Sequence, residues 1–126
     1  MIGTNNHMSS PPEVTARDIR LIVNQIRTKL PQTKVLVLAI FPRGAGDDDE
    51  ARRINMTVNE LIADIGDGKM VHYLNINEAF LNDRRLRHNL IPDGTHPNEK
   101  GYAAWAEAME PTLAKLLGEE PIIPAD

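Results

Sequence analysis

No cysteine occurs in the 126 residues, so disulfide bonds, thiolate metal sites and a cysteine nucleophile are all excluded. No apolar run approaches the roughly 18 residues that a membrane span requires. There is no excess of positive charge either. Fourteen Lys and Arg face 18 Asp and Glu, the net charge is -4, and the two signs are interspersed. A nucleic-acid binder would show a basic face, so neither nucleic acid nor membrane is an expected partner. The N-terminus lacks the basic-then-apolar pattern of a secretory signal, and the compartment stays open between cytoplasm and exterior. Serine is scarce, with only Ser9 and Ser10. What is present, 41% hydrophobic and 25% charged residues, is the composition of one small globular domain.

Three helical segments alternate with two apolar runs. Ser10-Pro11-Pro12-Glu13 reads as a helix start, with the serine as cap, a proline in the first turn and Glu13 closing a capping box. Val14, Ile19, Ile22, Val23, Ile26 and Leu30 follow on one face, and Pro31 stops the helix. Lys34–Ile40 is a continuous β-branched run, as in a buried parallel strand. After the Pro/Gly/Asp loop Phe41–Asp49, a second helix is expected over about Glu50–Ile65, with Ile54, Val58, Leu61, Ile62 and Ile65 inward. Gly66 and Gly68 would end it. Lys69–Leu74 is a second short strand. Asn75–Pro92 reads as mostly irregular, with one helical turn near Glu78. A last helix spans about Asn98–Leu117, with Tyr102, Trp105, Ala106, Met109, Leu113 and Leu116 on one side and Gly118 closing it. This order implies a layered α/β fold with a parallel sheet. Two strands leave an exposed apolar edge, which invites pairing.

The sharpest local signal is Ile91-Pro92-Asp93-Gly94-Thr95-His96-Pro97-Asn98, followed by Gly101-Tyr102 and Trp105. An Asp three residues before a His can accept from the imidazole Nδ1–H. That fixes the tautomer and leaves Nε2 free to deprotonate a hydroxyl. A bare Asp-x-x-His is most often only a turn before a helix, but the whole run is far more specific. It resembles the last conserved block of the SGNH (GDSL-type) serine hydrolases, P-D-G-x-H-P-N-x-x-G-Y-x-x-W. Gly3-Thr4-Asn5-Asn6-His7 likewise resembles that family's third block. With Phe41-Pro42-Arg43-Gly44, it is similar to the platelet-activating-factor acetylhydrolase-like acetyl esterases within the family.

The resemblance implies a three-layer, flavodoxin-like SGNH hydrolase fold and hydrolysis of short acyl esters through a serine acyl-enzyme. Acetylated carbohydrates or other small acetyl esters are the implied substrates, and no metal or organic cofactor is implied. His96 would be the general base, Asp93 its orienting acid and Asn5 an oxyanion donor; His7 and Arg43 are candidates for the substrate pocket. Family members carry a G-D-S block with the nucleophile and an oxyanion glycine ahead of the Gly-x-Asn block, where this sequence has only Met1 and Ile2. The expectation is therefore a truncated domain: residues 1–118 as the C-terminal part, its parallel sheet lacking the N-terminal strands, and 119–126 as a mobile Pro-rich tail. Ser9 and Ser10, neither in a G-D-S context, are the chain's own candidates for nucleophile. A homo-oligomer, or pairing with the missing N-terminal half, is the expected partner relation. An inactive self-associating remnant and a ligand-binding module of the same fold are the competing readings.

Weaker features have plainer explanations. Asp47-Asp48-Asp49-Glu50 reads as acids ahead of a helix N-terminus rather than a cation site. Arg84, Arg85, Arg87 and His88 form a small basic cluster, read as solvated surface. His72 falls in a strand pattern and reads as a half-exposed structural histidine.

Overall fold

In the computed structural model, which describes residues 2–122, two parallel strands lie between two helices on one face and a single helix on the other. Strand β1 (Val35–Leu38) pairs in parallel with β2 (Val71–Leu74), Val35 opposite Val71 and Leu38 opposite Leu74. Helix α1 (Pro12–Lys29) precedes β1, α2 (Glu50–Ile62) crosses from β1 to β2, and α3 (Glu99–Leu117) follows a long irregular connection. Side chains alternate across a strand, and the core divides accordingly. Val37 and Tyr73 pack with Ala16, Ile19, Val58 and Ile62 beneath α1 and α2. Leu38 and Leu74 pack with Phe41, Phe80, Leu90 and Ile91 against Ala104, Trp105 and Ala108 of α3. The layered α/β architecture expected from the element order is the one observed.

Several local details depart from expectation. The capping box at Ser10 does not form, because Pro11 occupies the N-cap position and no side chain caps the helix. A residue before proline is pushed to extended backbone, and Pro11, ahead of Pro12, has φ -57° and ψ 150°. The helix start moves one residue on, and Ser10 falls outside it. Helix α2 ends at Ile62, earlier than expected, with Ala63 as C-cap. Its buried face also holds Arg52, Asn55 and Asn59 beside Val58 and Ile62, while Leu61 is exposed. Helix α3 begins as expected, with the Asn98 side chain accepting from Gly101 N at 3.0 Å. The expected face holds in part: Trp105 packs inward and Met109, Leu113 and Leu116 are half-buried, but Tyr102 and Ala106 are exposed, and Gly101, Ala104 and Ala108 join Trp105 on the inner side. The reason is a close approach at Gly101, where a Cβ would sit 2.3 Å from Leu90 O.

The connection after β2 holds more structure than expected. A 3-10 turn, Asn77–Phe80, is followed by a short hairpin, β3 (Leu81–Asn82) and β4 (Arg85–Leu86). Its two loop residues, Asp83 and Arg84, both have positive φ, as a type I′ hairpin turn demands. Of the expected tail, residues 119–122 are exposed, although Ile122 N donates to Glu110 Oε1; residues 123–126 lie outside the described residues.

Among the described residues β1 is paired on one edge only. Beside the other edge runs an apolar groove with a cavity of about 300 Å³, lined by β1, by Ile19, Ile22, Val23 and Ile26 of α1, and by Ile2 and Trp105. Ile22 and Leu30, expected inward on α1, are 45% and 56% exposed. The other side of α1 packs on α2, so the stripe read as one apolar face is divided between a filled contact and an open groove.

Candidate active site

The turn before α3 is built from its own backbone. Leu90 N and Ile91 N both donate to Arg87 O, and Gly94 N donates to Ile91 O. Gly94 has φ +78°, a conformation open to glycine at little cost. The chain thus doubles back, and Asp93 meets the residues just after it. Asp93 Oδ1 accepts from Thr95 N at 2.9 Å and from His96 N at 2.7 Å. Its Oδ2 accepts from His96 Nδ1, also at 2.7 Å. The His96 backbone N–H, then its side chain, then the Thr95 N–H hold the Asp93 carboxyl well below the usual carboxylate range. Asp93 is thus an ionised acceptor that keeps the His96 proton on Nδ1. Nε2 is left as the free nitrogen, and among the described residues it has no hydrogen-bond partner. Both side chains are open to solvent, His96 71% and Asp93 56% exposed.

The Gly3–Asn5 segment approaches the far end of β1, where Gly3 lies against Ile40. Asn5 is exposed and begins a 3-10 turn, Asn6–Met8. Arg43, just beyond β1, donates from Nη1 to Thr4 O at 2.8 Å and to Asn5 Oδ1 at 3.1 Å. Its neighbour Gly44 donates from N to Gly94 O at 3.1 Å. Residues 43 and 44 therefore tie the Asn5 segment and the Asp93–His96 turn to one loop. His7 lies beside them, its Nδ1 3.0 Å from Thr4 O.

Ser9 and Ser10 stand apart from this arrangement. The Ser9 hydroxyl is directed to Asn6 O at 3.5 Å, and Ser10 N also donates to Asn6 O. Neither hydroxyl is a partner of His96 among the described residues. Asp49 caps α2 by accepting from Arg52 N, and Asp47 pairs with Arg52 and Arg84. The acidic run is thus occupied with a helix start and two arginines. Among the described residues no group of three or more His, Asp or Glu is placed to hold a metal ion. His72 is half-buried, with Nε2 3.2 Å from Lys69 O.

Three residues that shape the site escaped the sequence reading. Arg52, 1% exposed, donates from Nε to Arg43 O at 2.9 Å and from Nη1 to Arg84 O at 2.7 Å. Asn59 grips Ile40 at both ends, Oδ1 accepting from Ile40 N at 2.7 Å and Nδ2 donating to Ile40 O at 2.8 Å. Asn55, also buried, directs Nδ2 to Thr4 O at 3.5 Å. All three share the face of α2 that carries Val58 and Ile62, and that shared spacing was the available signal.

The model of the GDSL-like lipase/acylhydrolase family matches residues 1–104. Platelet-activating factor acetylhydrolase IB subunit alpha1 of Homo sapiens is 31% identical over 121 residues, 94% of this chain and 52% of the relative. Subunit alpha2 of Rattus norvegicus is 33% identical over 122 residues, 95% of this chain and 52% of the relative. The chain spans about half the length of these curated relatives. Among solved structures, a protein of Bacteroides ovatus designated a GDSL-like lipase superposes with a TM-score of 0.71 at 23% identity, over 93% of this chain and 36% of that one. The esterase domain of the ORF1 protein of the zebrafish ZfL2-1 retrotransposon gives 0.68 at 22% identity, over 91% and 66%. At those identities the structural likeness speaks for the fold.

Proposed function

Because the chain belongs to the GDSL-like lipase/acylhydrolase family, we propose that it serves in the hydrolysis of short acyl esters, with His96 as general base, Asp93 as its orienting acid and Asn5 as oxyanion donor. The observation that carries the reading is the 2.7 Å bond from His96 Nδ1 to Asp93 Oδ2. It leaves Nε2 free to take a proton from a serine hydroxyl as the oxygen attacks the ester carbonyl. The resulting imidazolium sits against an ionised carboxylate. The oxyanion of the tetrahedral intermediate accepts from the Asn5 amide, a neutral donor fixed before charge develops. Collapse expels the alcohol, protonated from Nε2, and water repeats the sequence to release the acid. His7 and Arg43, beside Asn5, would wall the substrate pocket. Acetyl esters, including those of carbohydrates, are the proposed substrates, supported by the acetylhydrolase activity named for the relatives.

The serine is the open element of this reading. Ser9 and Ser10 are the chain's own candidates, and neither contacts His96. The test is hydrolysis of p-nitrophenyl acetate by the purified chain beside a His96→Ala control. The reading expects activity that the control loses, after which Ser9→Ala and Ser10→Ala identify or exclude an internal nucleophile. Equal rates in both proteins would overturn an esterase assignment for the chain alone.

A second reading is favoured by the apolar groove along β1. We propose that the chain self-associates, covering the unpaired edge and the exposed residues of α1. Unpaired strand edges flanked by apolar surface are templates for pairing. Size-exclusion chromatography with light scattering should show a species larger than 14.0 kDa at micromolar concentration; a well-folded monomer would refute it.

A further inference from the structure

We infer that Arg43 is a positioning residue for Asn5: its guanidinium sets which end of the Asn5 amide faces a bound ester. The inference rests on the oxyanion role given to Asn5 above. An asparagine side chain is nearly symmetric in shape and opposite in polarity at its two ends. Only the NH2 end stabilises an oxyanion; the Oδ1 end repels it. Asn5 is exposed and its side chain makes no capping bond to its own turn, so local backbone does not choose between the two orientations.

Arg43 makes the choice. Its Nη1 lies 3.1 Å from Asn5 Oδ1. A guanidinium carries only donors and stays protonated, so the amide can present nothing but its oxygen there. Nδ2 then faces away from Arg43 with its protons free. The peptide from which Asn5 hangs is held as well. Thr4 O accepts from Arg43 Nη1 at 2.8 Å, from His7 Nδ1 at 3.0 Å and, at longer range, from Asn55 Nδ2 at 3.5 Å. A carbonyl can only accept, so the His7 proton is on Nδ1. The 3.5 Å approach of Arg43 Nη1 to that same nitrogen is therefore a contact without a hydrogen bond.

Arg43 is itself anchored. Asn59 clamps Ile40, three residues before it, and Arg52 binds its carbonyl. Gly44, the next residue, is bonded to Gly94 in the turn of Asp93 and His96. One loop thus sets the orientation of the oxyanion donor and its registry with the base.

The test is 15N relaxation of side-chain amides in the labelled chain, with Asn5 assigned by its loss in Asn5→Asp. The expected order parameter for the Asn5 amide approaches that of the buried Asn59 amide. In Arg43→Met it falls below about 0.6, the range of flexible groups, while the Asn59 amide, bonded to Ile40 and not to Arg43, is unchanged. Arg43→Lys, which keeps a cationic donor, restores part of the order. A mobile Asn5 amide in the parent chain, or one equally ordered in Arg43→Met, overturns the inference. Should Arg43→Met fail to fold, Asn5→Asp decides with Arg43 in place. The introduced carboxyl should titrate at least about one unit below the free value of about 3.9, and an ordinary value overturns the inference. None of these readouts needs turnover. An inactive chain with an ordered Asn5 refutes the esterase reading alone, and an active chain with a mobile Asn5 refutes this one alone.

Discussion

Replacing Arg52 by methionine should destabilise the fold by about 2–4 kcal/mol, a large share of the roughly 5–15 kcal/mol typical of a domain. Methionine keeps the apolar stem and removes only the guanidinium. Two bonds are well made, to Arg43 O at 2.9 Å and to Arg84 O at 2.7 Å. Those to Gly44 O at 3.4 Å and Asp47 Oδ1 at 3.5 Å are marginal. Leaving two carbonyls without a partner costs about 1–3 kcal/mol each. Removing a 1%-exposed cation relieves part of its desolvation penalty, which brings the sum down to the stated range. In urea the midpoint should fall by about 1–2 M with the slope unchanged. Amide exchange should quicken first in the hairpin around Arg84, whose positive φ is held in place by this bond. Arg52→Lys should lose most of the same stability, since one ammonium cannot reproduce a planar fork across two loops. A loss below about 0.5 kcal/mol would refute the reasoning, because it would mean that water satisfies both carbonyls and the buried arginine joins nothing.

Two further perturbations address the turn and the acid response. Gly101→Ala places a methyl 2.3 Å from Leu90 O and 2.9 Å from Pro97 Cβ, so α3 must move off the turn that carries Asp93 and His96. A loss of about 1–3 kcal/mol is expected from such overpacking, read as a lower thermal midpoint, and an unchanged midpoint would contradict the close approach. Asp67 accepts from the backbone N–H of Val71, Lys69 and Met70, which lowers its pKa to about 2. A lowered folded pKa gives stability that is present above about 3.9 and lost as pH falls through about 2. An acid titration of Asp67→Asn should lack that component, and superimposable acid transitions would refute the assignment.

How far the molecule could be read from its residues depended on the range of each interaction. The Asp93–His96 pair was legible because three residues and a glycine turn suffice to form it. Asn98 and Gly118 marked the ends of α3 for the same local reason. The family resemblance was borne out together with the layered fold. Arg52, Asn55 and Asn59 were not legible, because reading a helix face by hydrophobicity assigns polar residues to solvent. Here their partners are backbone groups supplied by distant loops. The Arg43–Asn5 bond spans 38 residues, and no periodicity encodes such a contact. The β3–β4 hairpin has strands of two residues, too short for alternation to register. The Ser10 cap failed on a steric detail of consecutive prolines, and Tyr102 and Ala106 fell outside the inner face of α3 because the close backbone approach at Gly101 turns that side of the helix inward.

The openness of the Asp93–His96 pair bears on its strength as well as its access. Attraction between an imidazolium and a carboxylate scales inversely with the effective dielectric constant, about 80 in water and about 20 near a protein surface. Covering the turn with a low-polarity layer would lower that constant further and strengthen the attraction at an unchanged 2.7 Å. It would also remove most of its sensitivity to salt. The strength of this pair is therefore set jointly by two atoms the chain already holds in place and by the medium that lies over them.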